Sequence, residues 1–547
     1  MQDIIEVFFE NVKNNPSRTA MVLIKKDGSI EKISWADYLY QAIKYAESFR
    51  LRGAKEGDFI AIVGFNHPIS FFAMTGAILV GAVPVPLNAL SVKEAGLGEI
   101  KSILDDCKPR ISLAPNSLLQ QLSGLSFSSV EWPAKETVLG FLPGNPQISE
   151  YDGLISVAPL DSKYRKKGSG DMLIMPYTSG TSGDSRGKGV MLTHGNVLDR
   201  VIAIRDELRV TSKDRLFSYN PLSHIAELIA TFFGQIVVGY PVYFSEYSLE
   251  LVHDREGFRK QFPNILSQVK PTIFLGVPKV WINIRREIER KTRWLGWIPD
   301  CLRLLPNELL GPIIKRKLGF AETRYFISSA DKLEDEHRRF FRELLGIEIQ
   351  DVWGQTEIAG PGTINGLPIG KIIIGIDDDG EMFVYGPSIM AGYYNNPEAD
   401  KKVFRLGTRE VYWTGDEGRR DGEKIFCLGR KDDGFKMSQG EFVTAERLGH
   451  LEEEIKRINP DGIHEVIVWG EHKPHLVAII FAPLPYTSAL ESQIRRAMPK
   501  IGEGLFKIQN FTILPNSELQ QTSTMKIKRR ATLKNMDSIL KILYRES

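Results

Sequence analysis

Cysteine is scarce in this chain: Cys107, Cys301 and Cys427 are three residues far apart among 547. That spacing excludes a C-x-x-C metal or redox motif and a disulfide framework, and it fits a reducing compartment. A surplus of either charge is missing too, with 70 Lys and Arg against 68 Asp and Glu and a formal net charge of +2. Such a balance gives no reason to expect nucleic acid or an anionic membrane as an obligatory partner. Long apolar runs are also absent. The stretch from Phe59 to Val92 carries no Asp, Glu, Lys or Arg, but its apolar core at 69–83 is only 15 residues, and Pro84 and Pro86 follow at once. It is too short for a bilayer span and reads as a buried helix leading into a buried strand. The start, Met1-Gln2-Asp3-Ile4-Ile5-Glu6, is acidic and lacks a signal-peptide pattern. The expectation is a cytoplasmic protein with at most peripheral membrane association.

What is present is ordinary for a globular chain, with 42% hydrophobic and 25% charged residues. The length exceeds what one core supports, so at least two domains are expected. Helical patterns at 35–50, 195–208, 258–269 and 335–345 alternate with strand-like runs such as 59–63, 272–275 and 324–328. That alternation predicts parallel α/β sheets. The segment 371–385 reads as a hairpin around Asp377-Asp378-Asp379-Gly380. Past the charged, glycine-flanked run Gly429-Arg430-Lys431-Asp432-Asp433-Gly434 the pattern becomes α+β, with helices at 445–457 and 490–497 and strands at 465–469 and 476–481. The predicted fold class is α/β: a large N-terminal domain, 1–430, of parallel and mixed sheets flanked by helices, and a small mobile α+β domain, 431–547.

One run concentrates small and hydroxylated residues: Tyr177-Thr178-Ser179-Gly180-Thr181-Ser182-Gly183-Asp184-Ser185-Arg186-Gly187-Lys188-Gly189. Backbone N–H groups, hydroxyls and two cations on a loop free of bulk suit a triphosphate. It is not a P-loop: Gly183 and Gly187 are one residue too close, and Gly189 stands where a metal-binding hydroxyl is needed. Taken alone, it reads equally well as a flexible linker.

Further runs stand downstream. Pro221-Leu222-Ser223-His224 places a histidine before an apolar helical stretch; Trp353-Gly354-Gln355-Thr356-Glu357 sets an aromatic, a hydroxyl and a carboxylate close together. Tyr412-Trp413-Thr414-Gly415-Asp416 reads as a strand closed by a Gly-Asp turn, and Lys526-Ile527-Lys528-Arg529-Arg530 is basic. Singly, each has a plainer reading: a capping or core histidine, a core tryptophan, a common turn, a solvated basic face. No aromatics interleave the basic run, which argues against nucleic acid. As a set they match what ATP recognition needs: an aromatic face for adenine, a carboxylate for the ribose, donors for phosphate and an acid for Mg²⁺.

In this order the motifs resemble the adenylate-forming superfamily of acyl-CoA synthetases, luciferases and peptide-synthetase adenylation domains. The phosphate loop, Trp353–Glu357, Thr414-Gly415-Asp416, Gly429-Arg430-Lys431-Asp432, Lys436-Met437-Ser438-Gln439-Gly440-Glu441 and Thr522-Ser523-Thr524-Met525-Lys526-Ile527-Lys528-Arg529 are each similar to a family motif. Within it, Ser218-Tyr219-Asn220-Pro221-Leu222-Ser223-His224-Ile225-Ala226-Glu227 and Gly276-Val277-Pro278-Lys279-Val280-Trp281 look most like long-chain fatty acyl-CoA synthetases of the bubblegum type. Gly392-Tyr393-Tyr394-Asn395-Asn396-Pro397-Glu398 also looks like a family core motif.

The resemblance implies a fatty-acid ligase with two half-reactions: ATP and a fatty carboxylate give acyl-AMP and pyrophosphate, then the thiol of CoA takes the acyl group and AMP leaves. ATP, Mg²⁺ and CoA are the implied cofactor and co-substrates. It assigns Lys526, Thr356, Glu357 and His224 to catalysis and Glu357 to the metal. ATP would be bound by Thr178, Ser179, Gly180, Thr181, Ser182, Gly183, Lys188, Ser329, Trp353, Gly354, Asp416 and Arg430. Asp432 would be the hinge of a rotation that replaces Lys526 with Ser438, Gln439 and Gly440 on the thiol side. The acyl pocket would lie between the helix after His224 and the segment 276–281.

Departures from the family pattern accompany it. The loop has two extra residues and no proline between Gly183 and Gly189, which leaves Arg186 as an alternative to Lys188; Ser328-Ser329-Ala330 stands for Ser-Gly-Ala; and Gly449 stands where a glutamate is usual. Two rival readings stay open: an acyl-AMP ligase serving an acyl carrier protein, and a non-catalytic acyl- or nucleotide-binding relative.

Overall fold

The computed structural model describes residues 3–89, 97–114, 118, 122, 129–131, 167–178, 187–250, 254–294, 307–329, 333–460, 462–520, 527 and 529–544. They divide into two compact units, one from Met1–Thr178, Arg186–Ile374 and Val384–Tyr412, the other chiefly from Gly375–Phe383 and Trp413–Ser547.

Parallel crossovers build the first unit. Strand Phe59–Gly64 leads into helix Pro68–Leu79 and then strand Val83–Asn88, which pairs parallel with Phe59 opposite Val83. His67 caps the helix through Nδ1, which accepts from the Ile69 amide at 3.4 Å, and Pro68 takes the first position, where its missing N–H leaves nothing unsatisfied. The uncharged run at 59–92 is therefore an interior strand–helix–strand. Among the described residues no helix is long and apolar enough to cross a membrane. Ile111–Ala114 and Ser129–Glu131 extend this sheet, again parallel.

A second sheet runs Ile273–Gly276, Tyr325–Ser329, Ile349–Gln355, Gly360–Ile364, Leu367–Pro368, parallel across the first three strands and antiparallel after. Its helical cover centres on Trp281, fully buried, edge-on to Phe274 and Phe341 and donating from Nε1 to the Ile327 carbonyl at 3.3 Å. A third sheet orders Leu216–Phe217, Val242–Ser245, Thr19–Ile24, Ile30–Ser34. A fourth orders Gly392–Tyr393, Lys188–Thr193, Met172–Ile174, with Tyr177–Thr178 also paired to Lys188–Thr193. Helix His194–Glu207 follows directly, begun by a reciprocal Thr193–Asn196 capping box.

In the second unit, strand Leu476–Ala482 is buried at every position. It lies between Glu465–Trp469, antiparallel, and Ile508–Pro515, parallel. Its alternate residues feed two separate apolar clusters. Leu476, Ala478 and Ile480 pack with helix Ala445–Lys456 and helix Ser488–Ala497, while Val477, Ile479 and Phe481 pack with Leu533 and Leu543 of the last two helices and Met536 between them. An unbroken apolar strand is what a sheet covered on both faces requires.

Two details depart from the sequence reading. Thr414-Gly415-Asp416 is not a turn: strand Val411–Asp421 runs through it, held where Thr414 Oγ1 donates to the Met382 carbonyl at 2.8 Å and Asp416 pairs in register with Arg430. After His224 the helix is not uniform, because Leu228–Phe233 is a π-helical segment between the α-helical turns Ile225–Glu227 and Gly234–Val238. Such widened turns accompany functional sites in many helices.

Candidate functional site

The strand after the glycine-rich loop begins at Lys188. The expected phosphate contacts Ser179, Gly180, Thr181, Ser182 and Gly183 lie outside the described residues, as does Lys526, so only Thr178 and Lys188 can be located. Thr178 pairs with Lys188 at the mouth of the loop. Tyr177, beside it, donates its hydroxyl to Asp106 Oδ2 at 2.7 Å, against the buried Cys107. Burial, followed by that bond, holds the Tyr177 hydroxyl far above its ordinary range, so it remains a donor. The Lys188 ammonium rests over the ring of Tyr393, 4.9 Å from its centroid.

Trp353 and Gly354 end the parallel strand Ile349–Gln355 before it turns back into Gly360–Ile364. Gly354 is obligatory here, because a Cβ would meet the Gly360 carbonyl oxygen at 2.1 Å. Thr356 and Glu357 sit on a single 3₁₀ turn that follows. Glu357 is buried at 7% exposure; its Oε1 accepts from the Tyr393 hydroxyl at 2.8 Å, and its carbonyl accepts from the Met390 amide at 2.8 Å. Gln355 Oε1 takes the Tyr412 hydroxyl at 2.7 Å. Arg200, fully buried, donates to the Pro361 carbonyl at 2.7 Å, directly across the ladder from Gly354. Sequence reasoning did not pick out Arg200, because nothing local distinguishes it from a solvent-facing cation of the same helix.

Ser329 ends the neighbouring strand, in register with Val352, so it and Trp353 lie at the C-terminal ends of adjacent parallel strands. Ligands of open α/β sheets collect at such ends. Ser328 Oγ is buried with no hydrogen-bond partner among the described residues, a polar atom left over by the fold.

His224 is half-buried and caps its helix through Nδ1, which accepts from the Ala226 amide at 3.3 Å. The more unusual residue is Glu227, one turn on. Its Oε1 accepts from Ser218 Oγ at 2.6 Å, Thr231 Oγ1 at 2.9 Å and Asn66 Nδ2 at 3.2 Å, and its Oε2 from Asn220 Nδ2 at 3.3 Å. Burial outweighs these donors and pushes the carboxyl up to about 7. Tyr219 and Asn220 of the same network donate to the Leu275 carbonyl at 2.5 and 3.5 Å, joining the His224 run to the segment beginning at Gly276.

In the second unit, Asp416 is buried and Arg430 half-buried, with Arg430 Nε 3.3 Å from Asp416 Oδ1 and its Nη1 donating to the Thr414 carbonyl at 2.8 Å. Glu381 accepts from the Gly415 amide at 3.1 Å and pairs with Lys431 at 3.3 Å. Asp432 is exposed on a 3₁₀ turn, and its carbonyl accepts from Arg530 at 3.2 Å. Ser438, Gln439 and Gly440 are exposed at the tip between Phe435–Lys436 and Phe442–Val443, where Gly440 adopts φ +93°.

Chemically, the first unit brings together a cation fit for phosphate and one buried carboxylate. Among the described residues no group of three His, Cys, Asp or Glu is placed to cage a metal. Mg²⁺ does not need such a cage, because it is held by one or two carboxylates together with substrate phosphates and water. The Glu357 carboxylate fits that mode.

The sequence matches the family described as AMP-binding enzyme over residues 8–394. The long-chain-fatty-acid–CoA ligase ACSBG2 of Homo sapiens is 27% identical over 470 residues, covering 77% of this chain and 68% of that protein. In fold, the chain is similar to the McyG A-PCP complexed with phenylalanyl-adenylate, with TM-score 0.75, 17% identity and coverage of 100% of this chain and 84% of that one. It is also similar to the o-succinylbenzoate coenzyme A synthetase of Bacillus subtilis in complex with AMP, with TM-score 0.70, 19% identity and coverage of 96% and 97%.

Proposed function

The chain belongs to the AMP-binding enzymes, and from that premise we propose that it is a fatty acid–CoA ligase acting on long-chain acids. ATP and the fatty carboxylate give acyl-AMP and pyrophosphate; the CoA thiol then attacks the acyl carbonyl and expels AMP. The observation that carries this reading is the joining of Lys188 and Glu357 through one strand, Gly392–Tyr393. In this reading Lys188 is the phosphate cation and Glu357 the metal carboxylate, one on the ring and the other on the hydroxyl of Tyr393. The long-chain preference rests on the ACSBG2 likeness.

Two anions must meet in the first step, so charge neutralisation and alignment contribute more than proton transfer. In this reading Lys188 binds the phosphates with Thr178, Ser179, Gly180, Thr181, Ser182 and Gly183. Glu357 holds Mg²⁺, which when bound neutralises phosphate charge, and Thr356 binds phosphate beside it. Trp353 and Gly354 face adenine, with Ser329 at its edge. Asp416 and Arg430 serve the ribose, and Lys526 bridges the carboxylate and the α-phosphate. Asp432 is the hinge that exchanges Lys526 for Ser438, Gln439 and Gly440 before thiol attack, since one lysine on a moving segment can serve adenylation and then clear the way. His224 acts in catalysis, beside an acyl pocket between the helix after it and the segment 276–281. The activity is placed in the cytoplasm, at most peripherally on membranes.

The test is pyrophosphate release from ATP with a panel of carboxylates, with and without CoA. Release with long-chain acids and CoA-dependent thioester formation are expected. No release with any fatty acid refutes the reading. Adenylation without transfer to CoA, but with transfer to a holo carrier protein, replaces the acceptor by a phosphopantetheine arm.

A further inference from the structure

The run Gly392-Tyr393-Tyr394-Asn395-Asn396-Pro397-Glu398 touches no reactant in the reaction above beyond joining Lys188 to Glu357, yet several hydrogen bonds fasten it around one side chain. Tyr393 is 4% exposed. Its backbone pairs with Val190, Gly392 pairs with Met191, and the Tyr394 amide donates to the Gly189 carbonyl at 2.8 Å. The strand is thus fastened alongside the one that begins at Lys188. The Tyr393 amide donates to Asp400 Oδ1 at 2.8 Å, and Asp400 also holds Arg409 at 3.0 Å. Asn396 caps the helix Pro397–Val403 that carries Asp400. Arg409 closes over Gly392, whose φ of +136° is a backbone conformation that favours glycine.

This mount presents the two ends of Tyr393 to two different charges. Its ring face supports the Lys188 ammonium at 4.9 Å, and its hydroxyl donates to Glu357 Oε1 at 2.8 Å. Lys188 and Glu357 carry opposite charges, and a direct ion pair between them would withdraw the cation from phosphate and the carboxylate from the metal. A tyrosine satisfies both without neutralising either. The ring attracts a cation through its quadrupole and gives it up readily to a phosphate, which binds it more strongly. The hydroxyl orients one carboxylate oxygen and leaves the other for a cation.

We propose that Tyr393 is a positioning residue that seats Lys188, orients Glu357 and keeps the two from pairing until ATP and Mg²⁺ arrive. This rests on the ligase reading above and adds a role to a residue outside its machinery.

Calorimetric ATP binding across a range of free Mg²⁺, alongside the kcat and KM of pyrophosphate release, tests it on the full chain. Tyr393→Phe keeps the ring and loses the hydroxyl. It should raise the Mg²⁺ concentration at half-saturation about tenfold, the effect of one charge-assisted hydrogen bond, with ATP affinity at saturating Mg²⁺ unchanged. Tyr393→Leu loses both contacts and should also weaken ATP binding at saturating Mg²⁺. Adding Glu357→Gln to Tyr393→Leu should restore Mg²⁺-free ATP binding, because it removes the partner that captures Lys188. A Tyr393→Phe protein with wild-type Mg²⁺ half-saturation overturns the proposal. So does a fall in kcat and melting temperature in both variants with Mg²⁺ and ATP half-saturation unmoved, which is the mark of a purely structural role. A wild-type protein that binds no ATP at any Mg²⁺ concentration refutes the ligase reading itself, and this with it; the first two outcomes leave that reading standing.

Discussion

Glu227 shows how much of this interior depends on the state of single protons. Its carboxyl, ordinarily near 4.5, is pushed up to about 7 by burial, so the folded protein favours the neutral form. Stability from this group is fully present below pH 4.5, declines as pH rises toward 7 and is constant above. A shift of that size corresponds to about 3 kcal/mol. Glu227→Gln should flatten the dependence: urea midpoints of variant and wild type, measured from pH 5 to 8, should converge in acid and separate in the variant's favour at the alkaline end. Parallel curves would mean that the carboxyl stays charged. A second residue-level prediction concerns Lys526. Lys526→Ala should abolish acyl-adenylate formation but leave thioester formation from supplied acyl-adenylate largely intact. Equal loss of both steps would remove its assigned role. Lys526 was legible as a motif position. Glu227 is not legible as a site, because a carboxylate in an apolar helix looks like solvent-facing punctuation until Asn66, distant in sequence, is seen to donate to it.

Among elements, the hairpin of Ile349–Gln355 and Gly360–Ile364 has a position that tolerates no side chain. At Gly354 any side chain collides with the backbone of the return strand. Gly354→Ala should force the two strands apart, reducing ATP affinity and melting temperature together, read by calorimetry and thermal unfolding on one preparation. An alanine protein with wild-type ATP affinity would show that the hairpin does not shape the nucleotide site. Periodicity located some helices and strands of the first unit, since buried strands such as Phe59–Gly64 and amphipathic helices such as Asp335–Leu345 state their type locally. It overlooked helix Pro278–Trp294, whose charges obscure the apolar stripe, although Arg285 and Glu289 pair at helical spacing, 2.8 Å apart. It also mistook the glycine in Val411–Asp421 for a turn. Glycine usually punctuates; here ladder bonds from the neighbouring strands carry the chain past it. The π-helical turn Leu228–Phe233 leaves no local signature, because its widening answers to tertiary packing.

For the whole molecule, the two units have separate apolar interiors. The first unit has clusters around Trp281 and Phe274 and around Val63 and Val85; those of the second sit on the two faces of Leu476–Ala482. Separate cores predict two calorimetric transitions, with the larger enthalpy in the unit that contains most of the chain. ATP at a hundredfold excess over its dissociation constant should stabilise whatever binds it by about 2.7 kcal/mol, so the transition of each unit that contributes to its binding should move. A single transition would show that the two interiors melt as one.

Cys107 lies under Tyr177, at the root of the glycine-rich loop, with its thiol pushed up to about 12 chiefly by burial. A thiol in that condition is inert to alkylating reagents at neutral pH. Its labelling rate therefore counts how often the strand Tyr177–Thr178 lifts away from its neighbours, and a nucleotide that clamps the loop should slow that clock. The chain thus contains its own chemical stopwatch for that opening, readable by mass spectrometry of the alkylated peptide.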